Sequence, residues 1–415
     1  MLSNEDFPYL QKLIIQDAYI IQNLSVKVFG SPRFKHLILT GRNGYGKTTV
    51  LESIAAKIQF DVSSTDKHPH QIRNLMYWLS GDITPEQEQQ YKKELSLLKA
   101  VDFSFSYPHK PWNEHEVDKA ATFPDLAGVL VAYFPASRKS EVKAVETPTK
   151  DDAYVTALAK PRGTADFANS FKQYLVNKKV AQALAQLDGK PDKNRETVLF
   201  FENFEQTLRK VFDDPGLRLE FVSEEYEFYL EHSDGRRTTF NQLSAGFSAF
   251  LSILMDLLMR VDLLRKQHKN YAYDPCGFVI IDEPETHLHL EMQYQILPLL
   301  TKLFPNLQFI VATHSPAVAS SIRNATVFDL TTHEVMGDEA AGSSYSELML
   351  THFGVTNEYS DVADDIIADI NRIVATAGTD TTNARNELLL LLQDKGQYMS
   401  PGLRLEVEAQ LVGLE

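Results

Sequence analysis

Several features that mark other classes of protein are missing from this chain of 415 residues. It has one cysteine, Cys276, so it can form no internal disulfide and suits a reducing compartment. No apolar run reaches the roughly 18 residues of a membrane-spanning helix. The first residues, MLSNEDFPYL, lack the positive and apolar regions of a secretory signal. We therefore expect a cytoplasmic protein with no membrane partner, in which Cys276 packs as a small apolar group before a strand.

Basic residues are scarce relative to acidic ones. The chain has 41 Lys and Arg against 56 Asp and Glu, a formal net charge of −15. This charge argues against a surface that attracts nucleic acid everywhere, although a local basic patch remains compatible with it. From residue 344 to the end there are 12 acidic and 4 basic residues, a net charge of −8. The C-terminal segment is therefore predicted to be an acidic tail.

A glycine-rich loop follows a short apolar run near the N-terminus. The stretch LILTGRNGYGKTTVLESI contains Gly41-x-x-x-x-Gly46-Lys47-Thr48, the P-loop pattern. Glycines let backbone N–H groups surround a phosphate, Lys47 can reach the β- and γ-phosphates, and the Thr48 hydroxyl can ligate Mg²⁺. Apolar residues at helical spacing follow the loop, which completes a strand, loop and helix. The alternative is a glycine-rich turn with a solvated lysine.

Two adjacent acids end a second apolar run, CGFVIIDEPETHLHL. Such a run is typical of a strand buried on both faces. Acids at its end are costly to bury without a role. Asp282 is suited to hold Mg²⁺, directly or through water, and Glu283 to polarise an attacking water. The alternative is that both acids cap the next helix.

Two further motifs complete the set. In LQFIVATHSPAVASSI, His314 follows a predicted strand and could contact a γ-phosphate, or be a structural histidine. In FNQLSAGFSAFLSILMDLL, Ser244 and the Gly246 backbone lie at the positive end of a predicted helix, which can bind an anion. Ser-Ala-Gly there is also compatible with an ordinary helix cap.

In this order the motifs resemble the head of an ABC-type ATPase of the SMC/RecF/OLD-like branch, over about residues 10 to 330. The resemblance implies an α/β fold: a P-loop core sheet, an N-terminal antiparallel β-layer, helical insertions and a C-terminal helical tail. LQKLIIQDAYIIQNLSVKVF looks like the hairpin that begins this branch.

The resemblance also implies ATP and Mg²⁺ as cofactors. Two heads would sandwich two ATP molecules, the signature of one facing the P-loop of the other, in a homodimer or higher homo-oligomer. The roles implied are catalytic for Glu283, His314 and Lys47, metal-binding for Thr48 and Asp282, and nucleotide-binding for Asn43, Gly44, Gly46, Lys47, Thr48, Thr49, Ser244, Gly246 and Arg138.

The chain departs from the pattern of ABC-type ATPases in three places. Its signature is LSAGF rather than LSGGQ, and His289 replaces the usual aspartate after the acidic pair. No convincing Q-loop glutamine is present. YFPASRK looks like the corresponding OLD-like strand end, which is why Arg138 is expected near the nucleotide.

Four segments are predicted from composition and pattern. Residues 1–60 and 217–343 form the two parts of the head, 61–216 carries helical insertions around a core strand near 128–136, and 344–415 is the helical tail. The insertions are either solubilising additions or a lobe for partners. A hairpin with its turn near Asp234 is expected in LRLEFVSEEYEFYLEHSDGRRTTF.

The tail bears on function because it has no Toprim nuclease pattern. It resembles that of PtuA-like ATPase subunits of Septu and retron-associated defence systems, which implies an ATPase that controls a separate HNH nuclease. The alternatives are a RecF/SMC-like repair ATPase that clamps DNA, with RNA also possible, and a transporter subunit, which the missing glutamine disfavours. Apolar stripes at Ile366, Ile367 and Ile370 and at 388–392 are expected to dock a partner or another copy of this chain, or to pack on the head.

Overall fold

The computed structural model describes residues 7, 9–28, 34–63, 75–81, 83–106, 129–137, 144–149, 170–189, 191–270, 272–336, 348–349, 361–376 and 380–413. Arg138 lies outside these residues. The chain forms two compact units, Met1–Tyr345 and Ser346–Glu415. Among the described residues no helix is long and apolar enough to cross a membrane.

The strands of the first unit are β1 (Tyr9–Ala18), β2 (Ile21–Lys27), β3 (His36–Thr40), β4 (Val101–Ser106), β5 (Leu130–Phe134), β6 (Arg218–Val222), β7 (Glu227–Glu231), β8 (Arg237–Thr239), β9 (Gly277–Asp282), β10 (Leu307–Ala312), β11 (Ala325–Asp329) and β12 (Glu334–Met336). Its helices are α1 (Lys47–Ser63), α2 (Pro85–Ala100), α3 (Phe171–Leu187), α4 (Pro191–Val211), α5 (Ala245–Gln267), α6 (Leu290–Leu303) and α7 (Pro316–Ala319). The second unit has α8 (Asp361–Thr376), α9 (Thr381–Lys395) and α10 (Pro401–Gly413).

The central sheet has the strand order β12-β11-β3-β10-β9-β5. All neighbours are parallel except β12, which pairs antiparallel with β11. Strands β3, β9 and β10 are buried at every position, as parallel strands covered on both faces must be. Because these three strands are adjacent, the loops at their carboxyl ends meet at one edge of the sheet.

An antiparallel sheet of order β2-β1-β4 lies against the core. The hairpin of β1 and β2 confirms the prediction for this segment, and β5 lies within residues 128–136, where a core strand is expected. Strand β4 was not predicted, because it follows α2 directly inside a mostly polar segment. With the parallel sheet, this layer confirms the expected α/β head of an ABC-type ATPase.

Gln308 joins the two sheets from a fully buried position on β10. Its Nε2 donates to the carbonyl oxygens of Leu10 at 2.9 Å and Lys35 at 2.8 Å. Its Oε1 accepts from the Leu10 amide at 2.7 Å. The side chain thus satisfies polar backbone groups that burial would otherwise leave without partners.

The segment between α4 and α5 differs from the predicted hairpin. It forms a three-stranded sheet of order β6-β7-β8. The turn near Asp234 is confirmed, since the Gly235 amide donates to the His232 carbonyl at 3.0 Å. A second turn precedes β7 and places Tyr226 at a φ of +48°. No glycine or asparagine marks that turn, so the sequence does not signal it.

The second unit has its own core. Ile366 and Ile370 of α8 are buried with Leu388 and Leu391 of α9 and Val407 of α10. The buried members of the two apolar stripes therefore pack against each other within this unit. Other apolar side chains of this unit stay exposed.

His36 gives the first unit a dependence of stability on pH. It is 5% exposed, and its Nδ1 accepts from the Phe309 amide at 3.1 Å, which requires an unprotonated nitrogen. Burial lowers its pKa from 6.5 to about 4. Below pH 6.5 the unfolded chain therefore binds a proton that the native state does not, so stability falls as the pH is lowered toward 4.

We predict that acidification costs the wild type more than His36→Asn, whose amide oxygen can accept the same hydrogen bond. The free energy of unfolding of the wild type, relative to this variant, should fall by about 2 kcal/mol between neutral pH and about pH 4.5. Urea denaturation of both proteins across this range measures the difference. A difference that does not change with pH would contradict the assignment.

Candidate functional site

The P-loop wraps the amino group of its own lysine. Lys47 is 5% exposed, and its Nζ donates to the carbonyl oxygens of Gly41 at 2.8 Å and Arg42 at 3.1 Å. Gly41 has a φ of +136°, and a Cβ there would lie 3.0 Å from Thr331 Oγ1. Burial lowers the pKa of Lys47, while Glu283 and the other carboxylates around it act in the opposite direction. The lysine is therefore held in the loop rather than solvated.

Thr48 and Asp282 meet across the ends of α1 and β9. The Thr48 hydroxyl donates to Asp282 Oδ2 at 2.7 Å, and Asp282 is 1% exposed. The following helix, α6, has His289 at its N-cap, so Asp282 does not cap it. A carboxylate and a hydroxyl at the P-loop are oxygen ligands of the kind that Mg²⁺ binds.

Glu283 and His314 face each other at the ends of β9 and β10. Glu283 Oε1 lies 3.1 Å from His314 Nε2, and both side chains are about one-third exposed. The Glu283 amide donates to the Ala312 carbonyl at 2.9 Å. The φ angle of Glu283 is +46°, a backbone conformation that residues other than glycine rarely adopt. Burial and then the charge of Lys47 lower the pKa of His314, against the opposing effect of Glu283.

Glu285 was not singled out in the sequence. Its Oε1 accepts from Thr313 Oγ1 at 2.6 Å, from the His314 amide at 2.7 Å and from the Ser315 amide at 3.2 Å. Its position three residues after Asp282 was visible, but nothing in the pattern indicated that its side chain turns toward the loop after β10.

The signature segment begins α5. Ser244 is the N-cap, yet its side chain makes no capping hydrogen bond and is exposed. A Cβ on Gly246 would lie 2.2 Å from the His287 carbonyl oxygen, so only glycine allows the helix to approach the loop that follows the acidic pair. A cavity of about 640 Å³ lies beside Ser244, walled by the stacked rings of Phe212 and Phe247.

Of the remaining predicted site residues, all but Arg138 lie in the described part of the chain. Asn43 and Gly44 lie in the P-loop and Thr49 in the first turn of α1. Arg138 is not described. Tyr19, which the sequence analysis did not single out, lies against Gly46: a Cβ there would be 3.4 Å from the Tyr19 Cβ.

A P-loop strand beside a strand that ends in a histidine, with the strand of the acidic pair next in the sheet and an antiparallel β-layer against the core, defines the head of an ABC-type ATPase. The family model described as "AAA domain, putative AbiEii toxin, Type IV TA system" matches residues 37–320. The chain belongs to this family.

Three curated relatives confirm the expected likeness to retron and Septu ATPases. The "Retron Ec83 probable ATPase" of Escherichia coli is 41% identical over 87 residues, 21% of this chain and 16% of that protein. The "Retron Vc95 probable ATPase" of Vibrio cholerae is 24% identical over 376 residues, 74% of this chain and 71% of that protein. "Septu protein PtuA" of Bacillus thuringiensis is 25% identical over 289 residues, 67% of this chain and 66% of that protein.

Among solved structures, the chain is similar to the Smc head domain from Pyrococcus furiosus that was crystallised with the C-terminal domain of ScpA. The TM-score is 0.39 and the identity 14%, over 82% of this chain and 100% of that one. The fold assignment comes from the strand order and the motifs rather than from this score.

Proposed function

We propose that the protein is an ATP-hydrolysing switch that dimerises around nucleotide and controls a separate effector nuclease in antiphage defence. The observation that carries the ATPase part is the convergence of two pairs at adjacent strand ends: Thr48 with Asp282 at 2.7 Å, and Glu283 with His314 at 3.1 Å. Family membership and relatives named as ATPases support it.

Binding of ATP falls to the P-loop in this proposal. Lys47 would leave its loop carbonyls to contact the β- and γ-phosphates, and the backbone around Asn43, Gly44 and Gly46 would surround them. Thr48 and Asp282 would hold Mg²⁺, which neutralises phosphate charge. Two protein ligands suffice, because Mg²⁺ in such sites completes its coordination with phosphate oxygens and water.

Hydrolysis requires a base beside the γ-phosphate. Glu283 is one-third exposed at the sheet edge, so it can accept the proton of a water that attacks phosphorus while the bond to the ADP oxygen breaks. His314, at 3.1 Å from Glu283, would orient that water or the γ-phosphate. The site thus positions groups and stabilises charge, as phosphoryl transfer demands.

We predict that Glu283→Gln binds ATP normally but hydrolyses it at least about a hundredfold more slowly, because the general base is lost. Lys47→Ala should lose ATP binding instead. Equilibrium binding of a fluorescent ATP analogue and phosphate release measure the two steps separately. Turnover of Glu283→Gln near the wild-type rate would refute the assignment of the base.

The second half of each site is proposed to come from another copy of the chain. Ser244 and Gly246 open α5, a helix whose positive end suits the γ-phosphate of ATP held by the partner. The Ser244 side chain is exposed and makes no capping bond, so it is available for this contact.

Mixing two inactive variants tests this arrangement. Ser244→Arg keeps an intact P-loop and Lys47→Ala an intact signature, so each mixed dimer holds one complete site. An equimolar mixture should recover up to roughly a quarter of wild-type ATPase activity, because half of the dimers are mixed and each has one of two sites. No recovery, with mixed dimers shown by native mass spectrometry, would contradict a composite site.

We propose that the second unit, Ser346–Glu415, docks the effector, an HNH-type nuclease, as the resemblance to PtuA-type subunits suggests. Leu390 and Leu405 are 63% and 65% exposed on a unit with its own core. A partner that covered these leucines would remove apolar surface from water, which favours association.

Leu390→Glu should therefore abolish co-purification of the nuclease co-expressed from the same operon, while ATPase activity stays at the wild-type level. Leu184→Glu, at a leucine 55% exposed on α3, is the matched control and should retain the nuclease. The opposite result would assign docking to the helical insertions. Retention of DNA by the purified protein without any nuclease would instead favour the DNA-clamping function.

A further inference from the structure

One carboxylate oxygen of Glu285 accepts hydrogen bonds from three consecutive residues of another loop. It lies between β9 and α6, yet its Oε1 accepts from the Thr313 hydroxyl and from the amides of His314 and Ser315, at 2.6, 2.7 and 3.2 Å. These donors belong to the turn that follows β10. The loop after one strand is thereby fastened to the loop after its neighbour.

The free-energy cost of burying the Glu285 carboxyl group indicates a role beyond closing the loop. Glu285 Oε2 is buried and, among the described residues, has no hydrogen-bond partner. Burial raises the pKa of Glu285, against the lowering effect of its hydrogen bonds. A carboxyl group with one oxygen left unsatisfied is an expensive way to close a turn that a serine or threonine could close.

What the clamp holds in place is the pair Glu283 and His314. On one side the Glu283 amide donates to the Ala312 carbonyl at 2.9 Å, and on the other Glu285 holds the His314 amide. The two side chains then lie 3.1 Å apart. Movement of either loop would separate them.

We propose that Glu285 is a positioning residue of the ATPase site, which fixes His314 against Glu283 and does not itself touch the nucleotide. This inference rests on the proposed ATPase function. Its role is to accept hydrogen bonds, so the amide oxygen of glutamine can replace it, whereas alanine cannot.

Steady-state kinetics on the full chain test the proposal. Glu285→Ala should lower kcat about tenfold or more, since misplacement of a catalytic group by a fraction of an ångström is costly, while KM for ATP changes less than about twofold. Glu285→Gln should recover most of kcat. In a His314→Ala background, Glu285→Ala should cost less than about twofold, because residues that act as a unit are not additive.

A second readout does not depend on turnover. Amide hydrogen exchange of a peptide covering residues 313–316, without nucleotide, should accelerate at least about tenfold in Glu285→Ala and stay slow in Glu285→Gln. Unchanged exchange in Glu285→Ala, equal loss of kcat in both variants, or a full additional loss in the His314→Ala background would each overturn the proposal. An inactive wild type with the expected exchange pattern would instead refute the ATPase function and leave the clamp standing.

Discussion

Parallel pairing of β3, β10 and β9 is the constraint on which the site depends. In the register observed, Ala312 pairs with Leu39 on one side and with Asp282 on the other. The three strands therefore end level, and the P-loop, the acidic pair and the histidine turn leave the same edge. A slip of one residue in either pairing would turn alternate side chains to the opposite face and separate Thr48 from Asp282.

Much of this edge could be predicted, because its motifs carry their own spacing. A P-loop needs its glycines and lysine at fixed positions, and the acids and the histidine each follow a short apolar run. Glu285 could not be found in that way, since its role depends on which neighbouring loop its side chain reaches. Strand β4 was not predicted for a related reason: it is a strand because it pairs with β1, some ninety residues earlier in the chain.

The helix that begins at the signature is tied to two other parts of the first unit by buried charges. Arg260 of α5 pairs with Asp256 and lies 3.4 Å from the Val131 carbonyl of β5. Asp262 pairs with Lys178 of α3 at 2.8 Å, where Tyr174 also donates to it. Buried ion pairs contribute little net stability, but breaking one is costly, so the pair of Asp262 and Lys178 holds α5 against α3.

In the proposed dimer, electrostatics give a reason for a second copy to complete the site only when nucleotide is bound. Four carboxylates, those of Glu283, Asp282, Glu285 and Asp329, act on Lys47, the cation held in the P-loop. The phosphates of ATP would add further negative charge there, which Mg²⁺ offsets only in part. The positive end of α5 from another subunit, at Ser244, could interact with the phosphates. It would do so without the burial of a further charged side chain. In the proposed dimer this attraction depends on the γ-phosphate, so departure of the phosphate would remove it and let the two heads separate.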